Sequence, residues 1–226
     1  MCEPNRKQYA PEFDPVNKAE STGGFARFRK EWLEPILITF LIFAIIQTFI
    51  FQQFKIPSGS MEDTLLVGDR LVALKFCYGI RLPFKAHFLV RYGDPKPGDV
   101  IVFKYPRDPS KDFIKRCIAV GGQTVEIRDR NVYVDGILQE FPDTAKFTNE
   151  YSQAGDYYAL ETVPEQCMFV MGDNRQNSND SRYWGFVPYD NIVGKAVIVL
   201  WSWNFDVPLY NILKRIRWTR FFRLIH

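Results

Sequence analysis

The chain has 226 residues, 46% of them hydrophobic and 24% charged, which suffices for one packed domain with appendages and excludes two large ones. Its net charge of +3 is too small to mark a nucleic-acid binder. The four cysteines (Cys2, Cys77, Cys117, Cys167) have no CxxC or other metal-like spacing, so no metal or other cofactor is expected, and the two histidines, His87 and His226, leave few options for a catalytic base.

Residues 1–31 read as a flexible tail, polar at first and ending in the basic cluster Arg27, Arg29, Lys30. From Trp32 to Phe54 runs WLEPILITFLIFAIIQTFIFQQF, almost wholly apolar between Ile36 and Phe51. A bilayer core needs about 20 helical residues, so a transmembrane helix is expected over 32–53. Pro35 suits a first helical turn, and Trp32 and Gln52-Gln53 suit the two interfaces. A cleaved signal peptide would carry a shorter apolar run and a small-x-small site after it, and a soluble core helix would be amphipathic. Basic residues before the span and Lys55 alone after it place the N-terminus in the cytoplasm and the rest outside, in a single-pass arrangement. Three cysteines then lie in a disulfide-permissive space, so at least one lacks an intramolecular partner. Cys117, in an apolar strand pattern, reads as a small core residue.

Beyond Lys55 the pattern is that of short strands: 70–74, 99–103, 113–120, 124–127, 132–134, 167–171 and 195–201, punctuated by Gly, Pro and Asp. The expected fold is mainly β, a membrane-anchored domain of barrel or sandwich type over 54–206. Residues 123–165 read as an inserted β subregion whose middle, 143–158, is loop. The end of the chain, 207–226, has five basic residues, no acid, and interspersed Leu, Ile, Trp and Phe. It reads as a basic amphipathic helix on a membrane surface, so membrane lipids are expected partners.

The chemistry-bearing stretch is Ile56-Pro57-Ser58-Gly59-Ser60-Met61, directly after the span. A serine hydroxyl needs a base to become a nucleophile. His226 is the last residue, and His87 sits in a Pro-rich connection, so lysine is the stronger candidate base, with His87 still open. Lys115 stands out in Phe113-Ile114-Lys115-Arg116-Cys117-Ile118, where Phe113, Lys115 and Cys117 share one strand face. Near pH 7 only about one free lysine in 2,500 is neutral, and burial raises that fraction. On pattern alone a lysine that snorkels from an edge strand explains Lys115 as well. Gly59 lets the chain turn sharply between Ser58 and Ser60, and an oxyanion hole needs such convergence of donors. A dense polar loop, Gly172 to Gly185, follows the strand 167–171 and reads as a site rather than a plain turn.

Taken together, the apolar helix, Pro57-Ser58-Gly59-Ser60-Met61 with Thr64-Leu65, Gly68-Asp69, Pro97-Gly98-Asp99-Val100-Ile101-Val102-Phe103, Ile114-Lys115-Arg116 and the Gly172–Gly185 loop resemble, in order and spacing, the bacterial type I signal peptidases of the Ser-Lys protease class. The likeness covers roughly 54–200. It implies that Ser60 is the nucleophile and Lys115 the general base, with Ser58 and the Ser60 N–H as oxyanion donors. Ser178 would hold the lysine amine, and Asp180 and Arg182 would pair to fix the loop. Ile56, Leu65, Val102, Phe113 and Ile114 would line shallow pockets for small side chains at positions −1 and −3 of a signal peptide, which would lie extended before Lys115. The implied partners are signal peptides of exported preproteins, close to the export machinery, at the plasma membrane. The chain departs from the family at Asp63, where Pro is usual, at Gln176, where Asp is common, and at Ala119-Val120-Gly121-Gly122-Gln123. Two alternatives stand beside this reading: a specialised processing peptidase of the pilin or conjugation type, and a catalytically silent, membrane-anchored β-rich binding module.

Overall fold

The computed structural model describes residues 28–81, 88–140, 155–208 and 210–226. The chain divides into two compact units, residues 1–43 and 44–226. Residues 1–27 of the expected flexible tail 1–31, His87 and most of the expected loop 143–158 lie outside the described residues, and the last residues of that tail are helical.

In the first unit, a π-type turn at Arg29–Leu33 leads into the helix Glu34–Phe49, which continues into the second unit. This helix is apolar around its circumference, and Leu37, Phe40, Leu41 and Phe43 are all more than half exposed. No helix among the described residues is long and apolar enough to cross a membrane. The helix expected over 32–53 thus ends earlier. Phe51–Lys55 is a strand, β1, because its backbone pairs antiparallel with β2 (Asp69–Leu74), from Phe51 opposite Leu74 to Lys55 opposite Arg70.

The second unit is mainly β. The further strands are β3 (Gly79–Arg81), β4 (Phe88–Arg91), β5 (Val100–Tyr105), β6 (Asp108–Val120), β7 (Thr124–Arg128), β8 (Asn131–Val134), β9 (Ile137–Leu138), β10 (Tyr158–Thr162), β11 (Cys167–Met171), β12 (Val187–Pro188), β13 (Ile192–Ser202) and β14 (Arg223–Leu224). An eight-stranded sheet runs β1-β2-β13-β5-β6-β11-β12, with β14 added to β13. A second sheet, β10-β7-β8-β9, forms the inserted subregion, and β3-β4 is a separate ribbon. No barrel closes: among the described residues the large sheet is open, with β1 and β12 as its ends.

Alternation along β5 shows why this sheet is covered on both faces. Ile101 and Phe103 enter one core cluster with Cys117, Met168 and Trp184, whereas Val100 and Val102 enter another with Ile56, Met61 and Leu65. Phe113 packs against the first cluster, which contains Cys117, as a shared face on β6 requires. A third cluster joins β6 and β11 to the inserted sheet through Ile118, Phe169, Met171 and Val125. Cys77, Cys117 and Cys167 are all free thiols, and burial pushes the Cys117 thiol up, which suits an inert core residue.

The end of the chain differs most from expectation. Among the described residues of 207–226 there is no continuous amphipathic helix: only Ile212–Arg215 is α-helical, and Trp218–Arg220 is a 3₁₀ turn. Between and after these turns the backbone bonds to the sheet, Arg217 N to Ser202 O (3.1 Å) and Ile225 N to Val197 O (3.0 Å). Arg220 points inward, 5% exposed, and its Nη2 donates to Asp69 Oδ2 at 2.5 Å and to the Thr64 carbonyl at 2.9 Å. Asp69 is wholly buried, and leaving it without Arg220 would cost more than a short exposed helix gains.

Candidate active site

The nucleophile candidate sits on the connection between β1 and β2. Ile56 N and Gly68 N bond back to Asp69 O and Ile56 O, closing this connection into a loop. Inside it, Gly59–Met61 makes one 3₁₀ turn that buries Ser60 to 8% exposure, with Met61 and Leu65 anchored in the core beneath.

Lys115 comes from the middle of β6. Its neighbours β5 and β11 place Ile101 opposite Lys115 and Met171 opposite Arg116. Only 4% of Lys115 is exposed, and its Nζ lies 2.5 Å from Ser60 Oγ, donating to it. Burial lowers its pKa from 10.5 to about 8, against the opposing pull of the Asp180 and Asp173 carboxylates. About one lysine in ten is then neutral at pH 7. In that form the amine carries a lone pair that can take up a hydroxyl proton across the same contact. The snorkelling alternative for Lys115 is therefore not what the structure adopts.

β11 delivers the polar loop to the same spot. Gly172 packs so closely that a Cβ there would collide with Ser178 Oγ and the Ser60 carbonyl oxygen. Asp180 Oδ2 accepts from Gly172 N at 3.0 Å, and Asp180 Oδ1 accepts from Arg182 Nε at 2.8 Å. Arg182 also donates to the Arg175 carbonyl and, at 3.3 Å, to the Gly155 carbonyl of the inserted subregion. The expected Asp180–Arg182 pair is thus formed and almost wholly buried. Ser178 is buried beside Ser60, but its Oγ has no hydrogen-bond partner, so the expected hold on the Lys115 amine is not made.

An open cleft of about 700 Å³ runs over these groups, walled on one side by Phe113, Ile114 and Lys115 and on the other by Asn177, Ser178 and Asn179. Ser58, exposed, stands at its edge beside Pro57. Of the five expected pocket residues, Phe113 and Ile114 reach the cleft. Ile56, Leu65 and Val102 lie in the core cluster below, each 2% exposed or less, with Ile114 packed on that cluster.

Sequence reasoning left several site residues without a role. Asp112 and Tyr183 also line the cleft. Asp173 takes two bonds from Arg116, at 2.8 and 2.7 Å, and one from Thr64 Oγ1 at 2.5 Å. Arg116 Nη1 continues to the Gly98 and His226 carbonyls, at 2.8 and 2.9 Å. One arginine thus ties the strand carrying Lys115 to the polar loop and, through Thr64, to the serine loop. The signal for this was an arginine next to a buried lysine: on a strand covered on both faces, it too must find a buried partner. No three His, Cys, Asp or Glu side chains among the described residues are grouped to hold a metal.

A buried lysine amine on a serine hydroxyl, at the floor of an open cleft with an apolar wall, is the arrangement of a serine hydrolase whose base is lysine. The family described as signal peptidase, peptidase S26, matches residues 29–201. Signal peptidase I of Pseudomonas aeruginosa is 37% identical over 211 residues, 75% of this chain and 74% of that protein. Signal peptidase I of Aquifex aeolicus is 35% identical over 229 residues, covering 77% and 84%. A solved signal peptidase I from Enterococcus faecalis is 33% identical, covers 46% of this chain and 97% of its own, and overlays with a TM-score of 0.40. The chain belongs to the signal peptidase family, peptidase S26, and is a serine endopeptidase.

Proposed function

We propose that this chain removes N-terminal signal peptides from exported preproteins, cutting after small-x-small sites with Ser60 as nucleophile and Lys115 as general base. The observation that carries the reading is the 2.5 Å contact between Lys115 Nζ and Ser60 Oγ. Ser60 Oγ attacks the scissile carbonyl while neutral Lys115 takes its proton. The Ser60 N–H and the Ser58 hydroxyl receive the oxyanion. The lysine ammonium then protonates the departing amine of the mature protein, leaving the signal peptide esterified to Ser60. Lys115, neutral again, draws a proton from water, which attacks the ester and restores the serine.

Phe113 and Ile114 form the apolar wall against which small side chains at −1 and −3 pack, and Ile56, Leu65 and Val102 set the depth of that wall from beneath. The substrate lies extended along β6 before Lys115. The Asp180–Arg182 pair keeps Ser178 at the cleft floor.

The enzyme works at the outer face of the plasma membrane, near the export machinery, with its N-terminus cytoplasmic. Support for this lies in the exposed apolar helix Glu34–Phe49, preceded by a helical turn and by Arg27, Arg29 and Lys30. The exposed Trp218, Phe222 and Leu224, among basic residues, suit contact with lipid headgroups. A tether confines enzyme and substrate to one surface and raises their effective concentration.

The test is cleavage of an Ala-x-Ala preprotein in detergent by wild type, Ser60→Ala and Lys115→Ala, from pH 6 to 11. Cleavage by wild type alone is expected, with a rate rising through an apparent pKa near 8. Cleavage that survives in Ser60→Ala, or a wild-type rate that rises only near pH 10, refutes the assignment.

A further inference from the structure

The turn that carries Ser60 is held from the polar loop by one residue, Asn174, in two ways. Its backbone N–H donates to the Ser60 carbonyl at 3.1 Å, and its side-chain Nδ2 donates to Glu62 Oε2 at 3.1 Å. Glu62 N in turn donates to Gly59 O at 3.0 Å, which closes the 3₁₀ turn. Residues 59, 60, 62 and 174 are thereby linked in one ring around the nucleophile. The Glu62 carboxylate is folded back over the turn: a Cβ built on Gly59 would stand 3.4 Å from Glu62 Oε2. The next residue, Asp63, has φ 75°, a left-handed conformation that costs free energy in a residue with a side chain. The turn is therefore held in a shape that its own backbone does not favour.

We propose that Glu62 is a positioning residue for Ser60, acting through Asn174. Asn174 is 4% exposed, and its Oδ1 is buried without a hydrogen-bond partner. Rotating the amide would set that oxygen against the Glu62 carboxylate, one acceptor facing another. Glu62 thus dictates which way the buried amide points, and the unpaired oxygen is the cost of meeting it. Removing the carboxylate leaves both amide atoms without partners beside Ser60, and at the turn only the Asn174 N–H bond to the Ser60 carbonyl then fixes the loop, so the two can shift relative to each other. A displacement of about 1 Å between nucleophile and base lowers the chemical step by up to about a hundredfold, with little effect on substrate binding elsewhere in the cleft. The inference rests on Ser60 as nucleophile for its effect on rate, but the ring itself is independent of that reading.

The experiment compares full-length wild type, Glu62→Ala and Glu62→Gln in detergent, with two readouts. Cleavage of the Ala-x-Ala preprotein is expected to show kcat about tenfold lower in Glu62→Ala, KM within about twofold and an unchanged apparent pKa. Glu62→Gln is expected to recover most of the loss, because its Oε1 accepts the same bond. Amide hydrogen exchange is expected to be about tenfold faster at Asn174 in Glu62→Ala and near wild type in Glu62→Gln. Unchanged exchange at Asn174 in Glu62→Ala overturns the ring, whether or not the protein cleaves. Faster exchange with kcat unchanged overturns the positioning role, as does a Glu62→Gln enzyme no better than Glu62→Ala. A wild type that does not cleave, with exchange changed as expected, refutes the Ser60–Lys115 reading and leaves the ring standing.

Discussion

Lys115→Met separates the catalytic use of the lysine from its cost to the fold. Methionine keeps a long unbranched chain and removes the charge. In the native protein Lys115 has a pKa of about 8, against 10.5 for the free group, because it is buried. At about 1.36 kcal/mol per tenfold change in proton affinity, this corresponds to about 3 kcal/mol. The folded protein holds the Lys115 proton less tightly than the unfolded chain does. Between about pH 8 and 10.5 the unfolded chain therefore binds more protons, and wild-type stability rises with pH through that window. Below pH 8 the wild type bears the full cost of a buried ammonium, and Lys115→Met does not. The substitution also loses the bond to Ser60, worth about 1 kcal/mol. The expected balance is that Lys115→Met is about 2 kcal/mol more stable than wild type at pH 7 and about 1 kcal/mol less stable at pH 11. Urea unfolding in detergent, followed by tryptophan fluorescence at several pH values, measures this difference. Cysteine and tyrosine titrations in the same range are common to both proteins and cancel. A difference that stays constant from pH 7 to 11 shows that Lys115 titrates as an ordinary lysine, which refutes its assignment as a base tuned by burial.

Three further substitutions follow from the packing. Gly172→Ala forces a methyl group into Ser178 Oγ and the Ser60 carbonyl; a destabilisation of about 1–3 kcal/mol is expected, with activity falling more than that implies, measured by paired unfolding and cleavage assays. Asp173→Asn removes the charge that compensates Arg116, whose side chain is 2% exposed, and is expected to cost about 3–5 kcal/mol of stability, read as a lower urea midpoint. Asp63→Pro cannot keep φ at 75°, since proline is fixed near −65°, so the turn after Ser60 must rebuild; a loss of more than about 1 kcal/mol and reduced cleavage are expected, and full activity would show that the turn tolerates the family's usual residue.

The chemistry was readable from the chain to an unusual degree because it is carried by residues in short contiguous runs. Ser60 stands in a turn that follows a long apolar run and Lys115 in a strand pattern with apolar neighbours; each alone fitted a plain loop or a snorkelling lysine, and it was the order and spacing of all the motifs together that singled them out. The strands 70–74, 99–103 and 167–171 were equally plain, since their alternation and their Gly, Pro and Asp boundaries are local. Where reading along the chain failed, the deciding partner was distant. Phe51–Lys55 continues an apolar pattern that suits a helix, yet it is a strand because β2 offers it a ladder. Residues 207–226 have the composition of an amphipathic helix, yet Asp69, some 150 positions away, draws Arg220 inward, and β13 takes up the backbone. Ile56, Leu65 and Val102 look like pocket residues in a list of apolar side chains, but their depth is set by which sheet face they share.

Sequence alone therefore determined the mainly β class, the family resemblance, and Ser60 and Lys115 as the residues to watch. Only the tertiary structure decided that Lys115 meets Ser60, that one arginine links three segments through Asp173, and that Glu62 reaches Asn174. Hydrophobic periodicity and turn residues act over a few positions and leave their mark in the chain. Burial of a charge depends on which segments the sheet brings together: Asp180 and Arg182 are neighbours in one loop, but the partners of Arg116 and Arg220 lie 57 and 151 positions away, where no local pattern points to them.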